Sequence, residues 1–306
     1  MDADKEGPSS SMRTGRWHWR LAFAILAVMF VMGFAAVRTN TLGAADRLDR
    51  MMARIGSIIH PAPHRPTLPT IVVTPEPSVS PTPEPVAELP AAAGRTPKPT
   101  STPVPRVPVD MVVVRDHDAV FTSQLTEKMC AVAGTQMVLT ILGKGTASDE
   151  FQNELESRIG EWEAWDDSHN GGWGPAAIAQ ALAAYGARGY EVRAYESRGH
   201  ALKDAAVALT RTGKPVVLLP WWGAHTWVMT GYRADADPTV FRDARISGLY
   251  ILDPWYPRVS SIWGPSDKPG NFEDMDEMKR NFIGWSRPEG AYPDRDGLFV
   301  VVLPTR

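Results

Sequence analysis

Hydrophobic and polar positions divide the chain into five stretches with different patterns. Residues 21–37 contain no charged side chain, and residues 38–60 carry apolar side chains at helical spacing. Residues 61–109 are rich in proline, whereas residues 110–306 contain several apolar-periodic segments separated by polar turns. After a polar tail of residues 1–20, the pattern therefore predicts a membrane-spanning segment, an amphipathic juxtamembrane helix, an extended linker and one globular domain.

Within the globular domain, helical patterns come first and strand patterns mostly follow. Apolar residues recur every three or four positions in the helical segments, and they alternate or run continuously in the strand segments. This order is typical of an α+β domain with a mostly antiparallel sheet. The helices are predicted at residues 130–143, 148–159, 176–185 and 202–209, and the strands at residues 111–114, 190–195, 216–219, 225–230, 249–253 and 298–303.

The uncharged segment at residues 21–37 is 17 residues long and just spans a hydrocarbon core of about 30 Å when its flanks contribute. Arg13, Arg16 and Arg20 precede it, which places the N-terminus in the cytoplasm and the globular domain outside the cell membrane. The alternative is a signal peptide that is cleaved near the small residues at 33–35. A single-pass signal anchor is the preferred interpretation, and both interpretations export the domain.

Composition supports the linker and limits the possible partners. Residues 61–109 hold 15 of the 27 prolines, which predicts a semi-rigid polyproline-II spacer. Residues 110–306 hold 20 Lys and Arg against 27 Asp and Glu, a net charge of −7, which argues against nucleic acid as a partner. With one cysteine, an exported domain of this chain forms no intrachain disulfide, so the free thiol needs another explanation.

That cysteine, Cys130, begins the first predicted helix of the domain, where the helix dipole favours thiolate over thiol. Gln124, six residues earlier, is a neutral amide donor that could face an oxyanion. The strands that start at His225 and end at Asp253 are predicted to form a hairpin, and antiparallel pairing then brings these two residues together. Because a thiol nucleophile needs a base and a group that orients the base, these residues form a candidate triad.

Each of these residues, taken by itself, also fits a structural role that involves no catalysis. A lone cysteine is more often a buried small residue than a nucleophile, and a histidine beside Trp227 can be a satisfied core histidine. Asp253 followed by Pro254 is an ordinary turn. Residues 116–118 are of metal-ligand types, but consecutive side chains point in different directions, so no metal site is predicted.

Several short segments follow one another in an order that matches a known family: Gln124 with Cys130 six residues later, then residues 138–143, 174–186, 213–217, 225–232 and 250–255. They resemble the papain-like cysteine peptidases of the C39-like branch, which comprises the bacteriocin-processing peptidase domains and their stand-alone relatives. The resemblance covers about residues 121–256, most of the globular part. The resemblance rests on the order and spacing of these segments, because each segment is too short to identify a family by itself.

The resemblance implies a papain-like fold, in which an N-terminal helical part carries Cys130 as the nucleophile and a C-terminal antiparallel sheet carries His225 as general base. Asp253 would orient the base, and Gln124 would donate to the oxyanion. The implied activity is acyl transfer from a peptide or protein substrate, with no cofactor. The sequence has no Gly-x-x-x-x-Gly-Lys-Ser/Thr motif, so neither ATP nor a fusion to a transporter is implied.

The preferred hypothesis is a membrane-anchored extracytoplasmic cysteine peptidase. Two alternatives use the same residues: a catalytically inactive relative that serves as a surface binding module, and an amidase or transglutaminase-type acyl transferase. Aromatic residues near the triad in sequence are candidates for substrate binding. The alternative is that they form the wall of the cleft and part of the core. These candidates are Trp173, Trp222, Trp227 and Trp255.

Overall fold

The computed structural model describes residues 12–38, 44–74, 104–260 and 262–306. The chain divides into two compact units, Met1–Gly56 and Ser57–Arg306.

The first unit contains helix α1 (Met12–Arg38) and most of helix α2 (Ala44–Ile59). The segment Trp19–Arg38 of α1 is long and apolar enough to cross a membrane, and its side chains are exposed. A membrane anchor and a signal sequence both have these properties. The expected apolar span at residues 21–37 therefore lies inside one helix, whereas residues 1–11 of the predicted tail lie outside the described residues.

The second unit contains the remaining elements. Its helices are α3 (Cys130–Ile141), α4 (Asp149–Ser157), α5 (Pro175–Ala184), α6 (Arg198–Thr212), the one-turn α7 (Pro220–Gly223) and α8 (Met275–Asn281). Its strands are β1 (Thr70–Val73), β2 (Val109–Val112), β3 (Tyr190–Tyr195), β4 (Val216–Leu218), β5 (Trp227–Ala234), β6 (Ile246–Leu252), β7 (Val259–Ser260), β8 (Gly264–Pro265), β9 (Asn271–Asp274) and β10 (Phe299–Pro304).

The main sheet has the strand order β1-β3-β10-β4-β5-β6-β9, and β2 pairs with the second half of β5. All of these pairings are antiparallel except that of β1 with β3. Strands β7 and β8 form a separate two-stranded hairpin. The predicted α+β class is confirmed.

Helices cover both faces of the main sheet, and the alternation of side chains along the strands decides which face each residue joins. On β4, Val217 belongs to the core that includes α3 and α5, whereas Val216 and Leu218 belong to the core that includes α6. On β10, Val302 and Val301 divide between the two cores in the same way. Helices α3 and α6 therefore lie on opposite faces.

The hairpin of β5 and β6 confirms the pairing predicted from the sequence. Val228 of β5 lies opposite Leu252 of β6, so the chain leaves β6 at Asp253 beside the residues that lead into β5. His225 was predicted to be the first residue of this strand, and that prediction is wrong by two positions, because β5 begins at Trp227.

The segment predicted as a spacer, residues 61–109, differs from the expectation at both ends. Thr70–Val73 pairs in parallel with β3, and Val109 is the first residue of β2. The physical reason for β1 is local, because three successive residues with β-branched or apolar side chains follow Thr70 between Pro69 and Pro75. Residues 75–103 lie outside the described residues.

Candidate active site

Cys130 is the first residue of α3, a helix whose other residues through Leu139 are buried. Its half-buried thiol lies 3.9 Å, from Sγ to O, from the carbonyl of Ala224. Burial raises the pKa of the Cys130 thiol, but hydrogen bonding and charge from His225, with smaller contributions from Thr226 and the N–H of Ala131, outweigh burial. The pKa of this thiol therefore lies below its ordinary value.

His225 and Asp253 form a buried pair beside this thiol. The distance between His225 Nε2 and Asp253 Oδ1 is 2.6 Å, and their side chains are 2% and 4% exposed. The backbone N–H of Trp255 donates to the same carboxylate oxygen at 2.8 Å, which fixes the carboxylate. With Nε2 directed at Asp253, the other ring nitrogen of His225 is available to Cys130.

The electrostatics of the pair favour an imidazolium. Burial lowers the pKa of His225, but the charge and hydrogen bond of Asp253, together with the interaction with Cys130, raise it to about 9. The pKa values of the thiol and the imidazole thus shift in opposite directions, the imidazole mainly through Asp253 and the thiol mainly through His225. This arrangement favours a thiolate–imidazolium pair over two neutral groups near neutral pH.

Gln124 is buried and is held from several directions. Its side-chain Nε2 donates to the carbonyl of Thr126 at 2.7 Å, and its backbone N–H donates to the carbonyl of Pro254 at 2.9 Å. An amide nitrogen carries two protons, so one side-chain N–H remains for another acceptor. The backbone bond ties Gln124 to the turn that follows Asp253.

A family model described as the Peptidase_C39 like family matches residues 117–275, just over half of the 306-residue chain. The chain belongs to this family. The resemblance predicted from the short motifs is thereby confirmed, and the matched range contains Gln124, Cys130, His225 and Asp253.

A solved structure also resembles the C39-like chain. It is described as the crystal structure of a double glycine motif protease from an AMS/PCAT transporter in complex with the leader peptide. The identity is 18%, the match covers 60% of this chain and 91% of the other, and the TM-score is 0.32. Similarity at this level carries no argument about function. No curated protein matches the chain at a significant level.

Aromatic rings surround His225 of the C39-like domain. Trp221 stacks on His225 with ring centroids 4.0 Å apart and an interplanar angle of 15°, and Trp255 meets the same imidazole edge-on at 6.4 Å. Trp263, from the β7–β8 hairpin, stacks on the other side of Trp221 at 5.5 Å. Trp222 contacts Trp263 edge-to-face at 4.9 Å and is 43% exposed. One side of the candidate site is therefore an aromatic wall with an exposed outer member.

The turn that carries this wall has an unusual backbone. Trp221 and Trp222 have φ of 56° and 58°, the left-handed region that costs residues other than glycine about 1–2 kcal/mol each. Trp221 Nε1 donates to Asn281 Oδ1 at 3.1 Å, and Gly223 lies so close to Trp285 that a Cβ would come within 2.2 Å of its ring. These contacts stabilise a conformation that places one tryptophan on the imidazole and exposes the next.

The structure brings two of the four tryptophans predicted to bind substrate into this wall, Trp222 and Trp255, and places the other two elsewhere. Trp227 is 3% exposed and belongs to the core that includes α6, on the opposite face of the sheet from α3. The expectation for Trp227 is therefore corrected, because a strand residue on that face cannot reach the cleft. Trp173 packs on Trp162 and donates from Nε1 to Glu156 Oε2 at 2.7 Å.

Arg258 is a residue of this site that the sequence did not reveal. One guanidinium nitrogen donates to the carbonyls of Gln124 and Leu125 at 2.9 and 3.1 Å, and the guanidinium lies 5.4 Å from the ring centroid of Trp255. Arg258 thus connects the turn after Asp253 to the segment that carries Gln124. A single arginine in a loop gives no signal in the sequence, because its acceptors are backbone carbonyls more than 130 residues away.

Glu273 is a second buried carboxyl group near the pair and was also not predicted. It is 2% exposed and lies on β9 opposite Leu249 of β6. Burial raises the pKa of Glu273 to about 7, and the neighbouring carboxylates of Asp267 and Asp253 act in the same direction. Below neutral pH this carboxyl group is therefore protonated and adds no second negative charge near Asp253.

Proposed function

We propose that the chain is an active cysteine peptidase of the C39-like family, with Cys130 as nucleophile, His225 as general base and Asp253 as the residue that orients the base. The observation that carries the proposal is the position of the half-buried thiol at the start of α3 next to an imidazole that is paired at 2.6 Å with a buried carboxylate. A papain-like arrangement, with a nucleophile helix against a largely antiparallel sheet, agrees with the order of elements.

The proposed reaction begins from the thiolate–imidazolium pair. The Cys130 sulfur attacks the peptide carbonyl carbon, and the carbonyl π electrons move to oxygen to form a tetrahedral oxyanion. The oxyanion collapses while the His225 imidazolium gives its proton to the leaving amine, which leaves an acyl-enzyme and a neutral imidazole. Water then gives a proton to His225 and attacks the thioester, and collapse returns the thiolate and releases the acid. Asp253 keeps the imidazole oriented throughout.

Two N–H donors are proposed to stabilise the oxyanion. One is the free side-chain N–H of Gln124, whose other N–H is held by Thr126. The second is the backbone N–H of Cys130, which as the first residue of α3 lies among the helix N–H groups that have no intrahelical partner. Loss of one donor of this kind typically lowers the rate by about 10²–10³.

The substrate is proposed to be a peptide or protein that places an apolar or aromatic side chain against the outer part of the aromatic wall. Trp222 and Trp255 are the residues of the earlier prediction that fit this role, and Trp263 joins them. The exposed face of Trp222, held in a strained backbone at the outer end of the aromatic wall, supports the proposal, since tryptophan combines a large apolar area with one polar N–H and is enriched at interfaces.

The chain is further proposed to be anchored in a membrane by α1, with its N-terminus in the cytoplasm and the peptidase domain outside. The apolar segment Trp19–Arg38 supports the anchor. Arg13 and Arg16, which precede that segment, support the orientation because basic residues are retained on the cytoplasmic side.

The activated thiol is tested by alkylation with iodoacetamide. A lowered pKa means that Cys130 is a thiolate at a pH where an ordinary thiol is protonated, so at pH 6 alkylation is expected to be at least about 10-fold faster than for cysteine in an unstructured peptide. The advantage shrinks as pH rises toward the ordinary thiol pKa, because the free thiol also ionises. Cys130 is the only cysteine in the sequence, so the label reports on it alone. Equal rates at pH 6 would contradict the proposal.

Arg258→Met tests how the oxyanion donor is held. Without its guanidinium the backbone of Gln124 loses one of its fixed contacts, so acylation by p-nitrophenyl acetate is expected to slow about 10-fold, while alkylation by iodoacetamide, which forms no oxyanion, stays unchanged. Gln124→Ala is expected to give the same separation with a larger loss. Arg188→Met, at an exposed position, is the matched control. If both reactions slowed equally in Arg258→Met, the variant would have damaged the thiolate instead.

A further inference from the structure

The segment that follows the juxtamembrane helix packs onto the peptidase domain along most of its length. Its backbone exchanges hydrogen bonds with the loop before α5, from Ala62 N to His169 O at 3.2 Å and from Trp165 N to Pro63 O at 2.9 Å. The side chain of Arg65 donates to two further carbonyls of the same loop, those of Glu163 and Gly160. Residues 57–73 belong to the same compact unit as the rest of the domain.

The end of this segment is joined to the core of the domain. Strand β1 pairs with β3 in register over four residues, from Thr70 opposite Val192 to Val73 opposite Tyr195. Arg295, which is 3% exposed, donates from Nε to Thr70 Oγ1 at 2.9 Å and pairs with the buried Asp167 through a second nitrogen. Release of β1 would break one of the hydrogen bonds of a buried arginine, which is costly.

We infer that residues 62–73 are a permanent part of the peptidase domain, so that the proline-rich residues that follow connect two strands of that domain and do not tether it to the membrane. Only the residues between Arg38 and Ala62 then connect the proposed membrane helix to the domain. The substrates are therefore peptides or proteins held at, or brought close to, the membrane surface. This second statement rests on the proposed membrane anchor.

The number of residues in each possible tether gives its length, and the two lengths can be compared. Between Arg38 and Ala62, the 16 residues of α2 contribute about 24 Å at 1.5 Å per residue, and the remaining few residues contribute about 25 Å when fully extended. This connection is therefore at most about 50 Å long when fully extended. A polyproline-II spacer over residues 61–109 would add about 150 Å at 3.1 Å per residue. The two arrangements differ several-fold in reach.

The experiment uses the full chain in detergent micelles, with an affinity tag at the N-terminus and a site for a sequence-specific protease in place of residues 86–92. After cutting, the C-terminal fragment is expected to stay on the tag resin, because β1 remains paired with β3. A fragment that washes off the resin would overturn the inference. The same site placed at residues 39–43 is the control for complete cutting, since the domain must then leave the resin.

A second measurement addresses distance from the membrane. The single Cys130 is labelled with a donor fluorophore, and energy transfer to acceptor lipids is measured in vesicles. Removal of residues 80–95 is expected to leave the transfer efficiency unchanged, whereas a rise in efficiency would show that the proline-rich run is the tether. Neither measurement depends on catalysis. The retention experiment is expected to give the same result in a Cys130→Ala chain, so its failure is distinguishable from failure of the proposed peptidase activity.

Discussion

Replacement of His225 by alanine is expected to lower the rate of peptide cleavage by about 10⁴-fold or more. The variant removes the proposed proton acceptor and donor of both chemical steps, and it also removes the imidazolium whose charge and hydrogen bond hold the pKa of Cys130 low. Two consequences follow in one variant. Hydrolysis loses its acid and base, and alkylation at pH 6 falls to or below the rate of an ordinary thiol, because burial then raises the pKa of Cys130 without compensation from His225.

The pH dependence and the matched variants make this prediction specific. In the wild type, cleavage should fall as pH rises above about 9, because the His225 imidazolium that protonates the leaving amine is lost. Asp253→Asn removes the charge that raises the pKa of His225, so this alkaline limit should move to lower pH. His200→Ala is the control, since α6 lies on the opposite face of the sheet from α3. A His225→Ala enzyme with a tenth of wild-type activity would exclude His225 as the base.

Replacement of Asp167 by alanine is expected to lower the free energy of unfolding of the domain by about 3–5 kcal/mol. Asp167 is 1% exposed and pairs with Arg295 at 2.9 Å, and its two carboxylate oxygens accept the backbone N–H groups of Ala176 and Ala177 at the start of α5. The variant leaves a buried guanidinium without its partner and two helix N–H groups without acceptors. Gly174 allows this approach, because a Cβ there would lie 2.4 Å from the carboxylate.

Chemical denaturation of the full chain in detergent, followed by tryptophan fluorescence, measures this loss. Lys279→Ala is the control, since it removes an exposed ion pair with Asp276 whose side chains are 61% and 75% exposed, and such pairs contribute less than about 1 kcal/mol. Loss of the same small size in both variants would mean that the Asp167–Arg295 pair does not stabilise the domain.

Local patterns predicted those parts of the fold that depend on neighbouring residues. The helix that begins at Cys130, the α+β class and the hairpin that brings Asp253 beside His225 all follow from periodicity and from the order of the segments along the chain. Trp227 lies away from the aromatic wall, unlike Trp222 and Trp255, for an equally simple reason. Trp227 and Val228 occupy successive positions of one strand and so face opposite cores, a distinction that needs the location of the helices as well as the sequence.

Contacts between distant segments could not be predicted in this way. Strand β1 is four residues long among prolines, and contacts with residues more than 100 positions away, above all its pairing with β3, identify it as part of the domain. Arg258 acts on backbone carbonyls, which carry no residue signature. The left-handed backbone at Trp221 and Trp222 is unusual for bulky residues, and it is stabilised by Asn281, which comes 60 residues later.

The central claim is that Cys130 is the nucleophile of a peptidase, and one comparison tests it most directly. A peptide library is incubated with the wild-type chain and with Cys130→Ala, and the products are identified by mass spectrometry. We expect cleaved peptides, with an excess of apolar or aromatic residues near the cut, from the wild type only. Identical product spectra from the two proteins, whether both contain cleaved peptides or neither does, would contradict the claim.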